Sequence, residues 1–328
     1  MYPDAVISIG CFELYLWFKI SSNPPMQCSP KIGLFAQKRK LAHCLAHHRA
    51  HAALTSSGMR LLHLRSSWGL RALSANPRAV LHGVRLSGWR GLEASLADLG
   101  TTHAERKATV AEAHAAELPL ILSAYSSWPN YEGPCDSSRS VREHAAQFGA
   151  ELCEIAELAA PPGGDAGSPT VLRVNGHSGS DAWTEAEALD YFGEVQHVAA
   201  SLGASLPPLS HETHRGRYLC CPFATARLLR RAPELRLTSD FSHWVVKCER
   251  LLETRPELEL LAEIAPAVDH LHARIGTAQA AQVGSVHSPS TRHAAERFYS
   301  WWEAVWEARA QAGDELVTAT LECPQRPL

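Results

Sequence analysis

Short apolar segments alternate with longer polar or amphipathic segments along this chain from residue 61 onward. Eight of the apolar segments have the length and composition of buried parallel strands, at 61–68, 89–95, 118–125, 170–177, 206–214, 235–243, 268–275 and 316–322. Helical segments are predicted between them at 76–86, 102–117, 140–159, 185–202 and 291–312. Thr184, followed by Glu185 and Glu187, marks one capped helix start. The alternation predicts an α/β fold, and eight strands are the number that a closed (β/α)8 TIM barrel requires.

The first 58 residues do not share this alternation. No acidic residue lies between Glu13 and Glu93, although basic residues recur throughout, which is typical of an organelle transit peptide. Other interpretations are a mis-annotated start, with Met59 as the true first residue, or a functional arm whose His43, His47 and His51 could bind a metal. We therefore expect a poorly ordered extension at 1–58 and one TIM-barrel domain at 59–328. The protein is expected in the cytoplasm, or in an organelle if the extension is a transit peptide.

Composition narrows the class of protein further. The chain has 328 residues, 45% of them hydrophobic and 20% charged, which is ordinary for a globular domain with a large core. A net charge of −3 gives no global attraction to nucleic acid or to a membrane surface, so we expect neither as a partner. Nine cysteines without a C-x-x-C pair indicate free thiols in a reducing compartment. Cys220 and Cys221 are either buried small side chains or redox-responsive.

Four side chains stand at the ends of predicted strands: Glu212, Asp240, His272 and Glu322. Because residues that end successive barrel strands converge on one face, we expect these four to meet. Three carboxylates and an imidazole suit a divalent metal such as Mn²⁺, Mg²⁺, Co²⁺ or Zn²⁺. Strict alternation puts His270 on the same face as His272, so the choice of the imidazole stays open. Each acid taken alone could instead be a helix cap or a surface ion pair.

Several phrases of the sequence resemble one family when taken together. They are N-x-H-x-G-x-D-x-W from Asn175, HETHRGR from His211, SDFSHW from Ser239, HLHARIG from His270, and the closing T-x-T-x-E. The stretch YSSWPNYEG from Tyr125 also fits. These motifs resemble the xylose isomerase-like TIM-barrel superfamily of sugar phosphate isomerases and epimerases, over residues 60–328. The family continues past its last motif with a Gly-Pro turn and a longer tail, so we expect a shorter closing segment here.

The resemblance implies roles for individual residues. Glu212, Asp240, His272 and Glu322 would bind the metal, and His243 would contact a substrate oxygen. Arg274 shares the face of His272 and could bind a hydroxyl or a phosphate of the substrate. His177 and Asp181 are interpreted as lining the mouth of the site, although Asp181 could instead order a turn.

The chemistry of such enzymes is proton removal beside a carbonyl, through an enediolate. A divalent metal stabilises that charge, and two carboxylates take and return the proton. Glu212 and Glu322 are the candidates. The expected partner is therefore a small carbohydrate substrate, and an oligomer is possible.

The sequence also leaves other interpretations open. Glu93 is either a site residue or a carboxylate at the edge of the core, and Trp301, Trp302 and Trp306 are expected to pack against the barrel. The fold could also serve as a non-catalytic binding module. An endonuclease-IV-like metal phosphodiesterase is disfavoured, because it needs histidines after the early strands. Here the second and third strands end in Glu-Ala-Ser and Tyr-Ser-Ser.

Overall fold

A computed structural model describes residues 59–68, 70, 73–136, 138–160 and 169–322 of this chain. Eight parallel strands form a closed barrel in which each strand pairs with the next and the last pairs with the first. They are β1 (Arg60–Ser66), β2 (Leu92–Ser95), β3 (Leu120–Tyr125), β4 (Val171–His177), β5 (Leu209–Glu212), β6 (Leu237–Ser239), β7 (Val268–Ala273) and β8 (Leu316–Leu321). The predicted α/β TIM barrel is confirmed. The expectations for 1–58, including His43, His47 and His51, lie outside the described residues.

Helices cover the outside of the barrel. They are α1 (Pro77–Leu86), α2 (Leu96–Leu99), α3 (His103–Ala115), α4 (Val141–Ala159), α5 (Glu185–Leu202), α6 (Pro222–Arg231), α7 (Phe241–Cys248), α8 (Arg255–Ile264) and α9 (Arg292–Gln311). The capped start at Thr184 is confirmed, since its side chain accepts a hydrogen bond from Glu187 N while the Glu187 carboxylate accepts one from Thr184 N. In the part of the chain that is described, no helix is long and apolar enough to cross a bilayer.

The sixth predicted strand, 235–243, is wrong at its carboxyl end. The strand stops at Ser239, and α7 begins at Phe241. Asp240 is the N-cap of this helix, because its side chain accepts a hydrogen bond of 2.9 Å from Ser242 N. The run of buried side chains continues unbroken from the strand into the helix, so apolarity alone does not reveal the boundary.

The core has an apolar outer layer and a polar interior. Outward-facing strand residues such as Leu92 and Val174 are fully buried under the helices. Trp301, Trp302 and Trp306 of α9 are buried in the same apolar cluster, as the packing interpretation expected. The inward-facing residues near the carboxyl ends of the strands are instead polar and equally buried: Glu93, Asn175, Glu212, His270, His272, Thr318 and Thr320. A buried polar set of this kind is expensive without hydrogen bonds, so its partners define the site.

Candidate metal and substrate site

A cavity of about 270 Å³ opens at the carboxyl ends of the strands. Its floor includes Glu93, Glu212 and His272, and its walls include Arg274 and Glu322. The carboxyl ends of the first two strands and the segments that follow the first three strands contribute further lining residues: Ser66, Ser67, Trp68, Leu70, Ser95, Asp98, Asn130, Tyr131 and Glu132. In a (β/α)8 barrel this face carries the active site, because the loops after the strands converge there.

Three of the four predicted metal ligands come directly together. Glu212, Asp240 and His272 each offer a ligand atom, and these atoms lie within 4.8 Å of one another. The fourth, Glu322, adjoins the group through His272, whose Nδ1 lies 2.9 Å from Glu322 Oε1 and 3.6 Å from Glu212 Oε1. His272 Nδ1 is buried and hydrogen-bonded to neither carboxylate. A buried nitrogen without a hydrogen bond, facing two carboxylates, fits a divalent cation, and so does the chemistry of this donor set.

Glu93 holds the other side of the His272 ring. His272 Nε2 lies 3.1 Å from both Glu93 oxygens, and His270 Nε2 lies 3.3 Å from Oε2. Because a carboxylate only accepts, the Nε2 hydrogen of His272 points to Glu93 and leaves Nδ1 for a metal. His270 lies deeper, with its Nδ1 2.7 Å from Thr318 Oγ1. Strict alternation therefore put both histidines inside correctly, and the structure places His272 beside Glu212.

Charge in this cluster is strongly coupled. Burial alone would raise the pKa of Glu93. The neighbouring His272 and His270 together have the larger effect and lower this pKa below its usual range. Burial lowers the pKa of His272, yet Glu93 and Glu212 raise it well above its ordinary value. Without a bound cation, the His272 ring therefore carries a positive charge among carboxylates. A divalent ion would take over that role.

Arg274 lies in the wall of the cavity but is already paired. Its guanidinium contacts Asp240 Oδ2 and lies 2.7 Å from Glu322 Oε2, and its Nε donates to Ser242 Oγ at 3.0 Å. Burial raises the pKa of Asp240 to about 6, with Arg274 opposing and Glu322 reinforcing the shift. The arginine thus neutralises two of the carboxylates that were predicted to bind the metal.

The other predicted substrate residues divide between the cavity and its surroundings. His177 lines the cavity, and its Nε2 lies 3.2 Å from Glu212 Oε2. His243 is buried behind the wall, with Nε2 3.5 Å from Asp240 Oδ2 and its ring 3.7 Å from that of His214. Asp181 is exposed and pairs with Lys247 Nζ at 3.1 Å, away from the cavity. The described hydrogen bond of Asp181 therefore goes to Lys247, and neither the turn-ordering role nor contact with substrate is seen directly.

Solved structures share this fold, whereas no protein-family model and no curated protein matches the chain. The probable 3-DHS dehydratase AsbF from Bacillus anthracis, involved in petrobactin synthesis, has a TM-score of 0.53 at 15% identity, over 80% of this chain and 92% of that one. A D-psicose 3-epimerase, solved in the presence of D-fructose, has a TM-score of 0.50 at 12% identity, over 80% and 86%. A D-tagatose 3-epimerase-like protein has 0.50 at 13%, over 80% and 90%. The chain shares the TIM-barrel fold of these proteins. The fold implied by the sequence motifs is confirmed, and identities this low show the fold alone.

Three residues of the site were not assigned from the sequence. Asn175 Nδ2 donates to Glu212 Oε2 at 2.8 Å and to Glu93 Oε1 at 2.9 Å, so one amide joins both carboxylates. Its position two residues before His177 in β4 places it on the same inward face, and this alternation could have indicated it. Tyr131 and Arg217 reach the site from loops, where strand alternation gives no signal.

Proposed function

We propose that this protein is a divalent-metal-dependent isomerase or epimerase acting on a sugar or a sugar phosphate. The observation that carries the proposal is the buried group of Glu212, Asp240 and His272, of which Glu212 and His272 line the cavity together with Glu322. The barrel fold is compatible with this activity but does not select it, because one fold hosts many reactions.

The donor set suits the cofactor that this chemistry needs. Glu212, Asp240, His272 and Glu322 would hold Mn²⁺, Mg²⁺, Co²⁺ or Zn²⁺. When bound, such an ion acts as a Lewis acid that stabilises the negative charge of an enediolate. To hold such an ion, Asp240 and Glu322 would give up part of their pairing with Arg274. The freed guanidinium would then point into the cavity, where it can donate to a hydroxyl or a phosphate oxygen.

Glu212 and Glu322 are the proposed proton-transfer groups. Both line the cavity. Burial opposes their ionisation, but His177 and His272 lower the pKa of Glu212, and Arg274 and His272 lower that of Glu322, each below its usual range. Both are therefore ionised at neutral pH and able to accept a proton from a carbon beside a carbonyl. Asn175 and His177 fix the Glu212 carboxylate from one side.

The activity is tested with a panel of ketoses, aldoses and their phosphates, each incubated with the purified protein and Mn²⁺. We expect conversion of at least one sugar between isomers or epimers, and loss of that conversion when a chelator is added. No conversion of any sugar by metal-loaded protein would refute the proposal. Metal analysis separates the alternatives, since one ion per chain fits the proposal, several zinc ions fit a phosphodiesterase, and none fits a binding module.

A further inference from the structure

The loop between β3 and α4 has an unusual backbone where it borders the cavity. Trp128, Asn130 and Tyr131 have φ angles of 47°, 54° and 58°, in the left-handed region that non-glycine residues rarely adopt. Such a conformation is unfavourable for a residue with a Cβ, and it persists only where surrounding contacts over-determine it. Strain of this kind collects at functional sites, so the contacts that hold this loop indicate what it does.

Arg217, from the loop after β5, holds the strained segment. Its guanidinium donates to Ser127 O at 2.8 Å, to Ser127 Oγ at 3.0 Å and to Trp128 O at 3.4 Å. The same group lies 5.0 Å from the centre of the Tyr131 ring. Arg217 is 2% exposed, so these charge-assisted bonds form away from water, where they are strong. The loop is therefore fixed in this conformation.

The strained segment, residues 128–131, places the Tyr131 hydroxyl within hydrogen-bond distance of His177. Tyr131 Oη lies 2.7 Å from His177 Nδ1, and His177 Nε2 lies 3.2 Å from Glu212 Oε2. Arg217 Nε donates to Tyr131 Oη at 3.4 Å, so the hydroxyl hydrogen is left to point to His177. Because the Tyr131 hydroxyl donates to Nδ1, the neutral ring carries its hydrogen on Nε2, which lies on the side of the Glu212 carboxylate.

We propose that Tyr131 is a positioning residue that locks His177 in the Nε2–H tautomer and thereby fixes the orientation of the Glu212 carboxylate. Without the hydroxyl, the hydrogen of His177 can move to Nδ1. The Nε2 lone pair would then face the Glu212 oxygen, and the two acceptors repel each other. Tyr131 thus acts on Glu212 through His177. The kinetic part of this inference rests on the proposed function, whereas the tautomer lock does not.

The test uses Tyr131→Phe in the full-length protein. This change removes the hydroxyl and keeps the ring, which stacks on His214 at 4.3 Å. Carbon and nitrogen NMR shifts of the His177 ring report its tautomer, with the signals assigned by their loss in His177→Gln. We expect Nε2–H in the wild type and a population of Nδ1–H in Tyr131→Phe. Tyr218→Phe is the control, because that tyrosine is buried outside the cavity, and it should leave the tautomer unchanged. An unchanged tautomer in Tyr131→Phe overturns the proposal.

A double-mutant cycle tests the kinetic part. Loss of a residue that orients a ligand costs roughly 10–100-fold in activity, so Tyr131→Phe should lower kcat by about 10-fold or more with little change in KM. In a His177→Gln background the same change should have no further effect, because the group through which Tyr131 acts is gone. An equal loss in both backgrounds would show direct action on substrate and overturn the proposal. If the wild type converts no sugar while the tautomer result holds, the proposed function fails and the tautomer lock stands.

Discussion

Replacing Glu93 by glutamine tests whether this buried carboxylate supports a metal on the opposite side of the His272 ring. Glu93 accepts from His272 Nε2 at 3.1 Å, from His270 Nε2 at 3.3 Å and from Asn175 Nδ2 at 2.9 Å. Glutamine has the same shape but offers one acceptor oxygen and one NH₂ group. In one orientation the NH₂ group faces the Asn175 amide and in the other it faces the His270 ring, so at least one charge-assisted hydrogen bond is lost and His272 Nε2 keeps only one of its two acceptors.

The size of the effect follows from that loss. A hydrogen bond to a charged group contributes about 1.5–3 kcal/mol, which corresponds to roughly 10- to 100-fold in a dissociation constant. Losses among residues that orient metal ligands fall in the same range, about 10- to 100-fold. We therefore expect Glu93→Gln to weaken Mn²⁺ binding by at least ~10-fold. The direction follows because a less basic and less firmly oriented imidazole is a poorer ligand.

Isothermal titration calorimetry with Mn²⁺ and Mg²⁺ measures this effect directly, at pH 8 so that fewer protons compete for the imidazole. Glu132→Gln is the matched control, since it removes the same charge from an exposed carboxylate of the same cavity. We expect the control to bind within about twofold of the wild type, because exposed charges are well screened. Equal affinity in Glu93→Gln and wild type would show that His272 needs no support from Glu93. An equal loss of metal affinity in both variants would show that the effect comes from the change in net charge alone.

Three further predictions address other groups. Glu322→Gln should still bind the metal, while turnover and the exchange of the substrate's carbon-bound hydrogen with deuterated solvent fall by ~10²-fold. Glu212→Gln is the matching test. Normal turnover in both variants would exclude Glu212 and Glu322 as proton-transfer groups. Burial raises the pKa of Glu151 from 4.5 to about 7, so the stability it contributes is present below about pH 4.5 and is lost as the pH rises through about 7. Glu151→Gln should therefore gain on the order of 3 kcal/mol over wild type between pH 4.5 and pH 8 in urea unfolding, and a constant difference would contradict this. A hydrogen bond with the Cys248 thiol lowers the pKa of Cys221 to about 5. Iodoacetamide at pH 6.5 should therefore label Cys221 before the exposed Cys135, and the reverse order of labelling in mass spectrometry would contradict this.

The order of strands and the inward-facing acids were predictable because both follow from local pattern. Alternation along β7 places His270 and His272 inside, and a Thr-x-x-Glu pattern marks the start of α5. The boundary at Asp240 was not predictable from apolarity, because the same buried run serves a strand and then a helix. It required recognising Asp240 as a cap followed by Ser242, whose backbone it binds.

Contacts between distant loops could not be predicted from the pattern of hydrophobic and polar residues. Arg217 and Tyr131 are 86 residues apart in sequence, and their contact depends on how two irregular loops fold. Asp181 shows the same limit of pattern-based prediction. Its place in a motif with His177 suggested the mouth of the site, but the loop carries it outward to Lys247, which is 66 residues away in sequence. A residue in a loop inherits no direction from the strand before it.

The Asn175–Gly176 pair makes the site sensitive to deamidation whenever the protein unfolds. Glycine is required here, because a Cβ at Gly176 would lie 2.8 Å from the Phe148 ring and 3.0 Å from His211 Nδ1. An Asn-Gly sequence in a flexible chain readily closes to a succinimide and deamidates. In the barrel the glycine nitrogen is held within β4, between β3 and β5, so the ring closure is blocked. Each unfolding event exposes the pair, and deamidation would replace an amide that donates to Glu93 and Glu212 with a third carboxylate that repels both. Repeated unfolding would therefore damage the site itself, because the residue that deamidates is Asn175 at its centre.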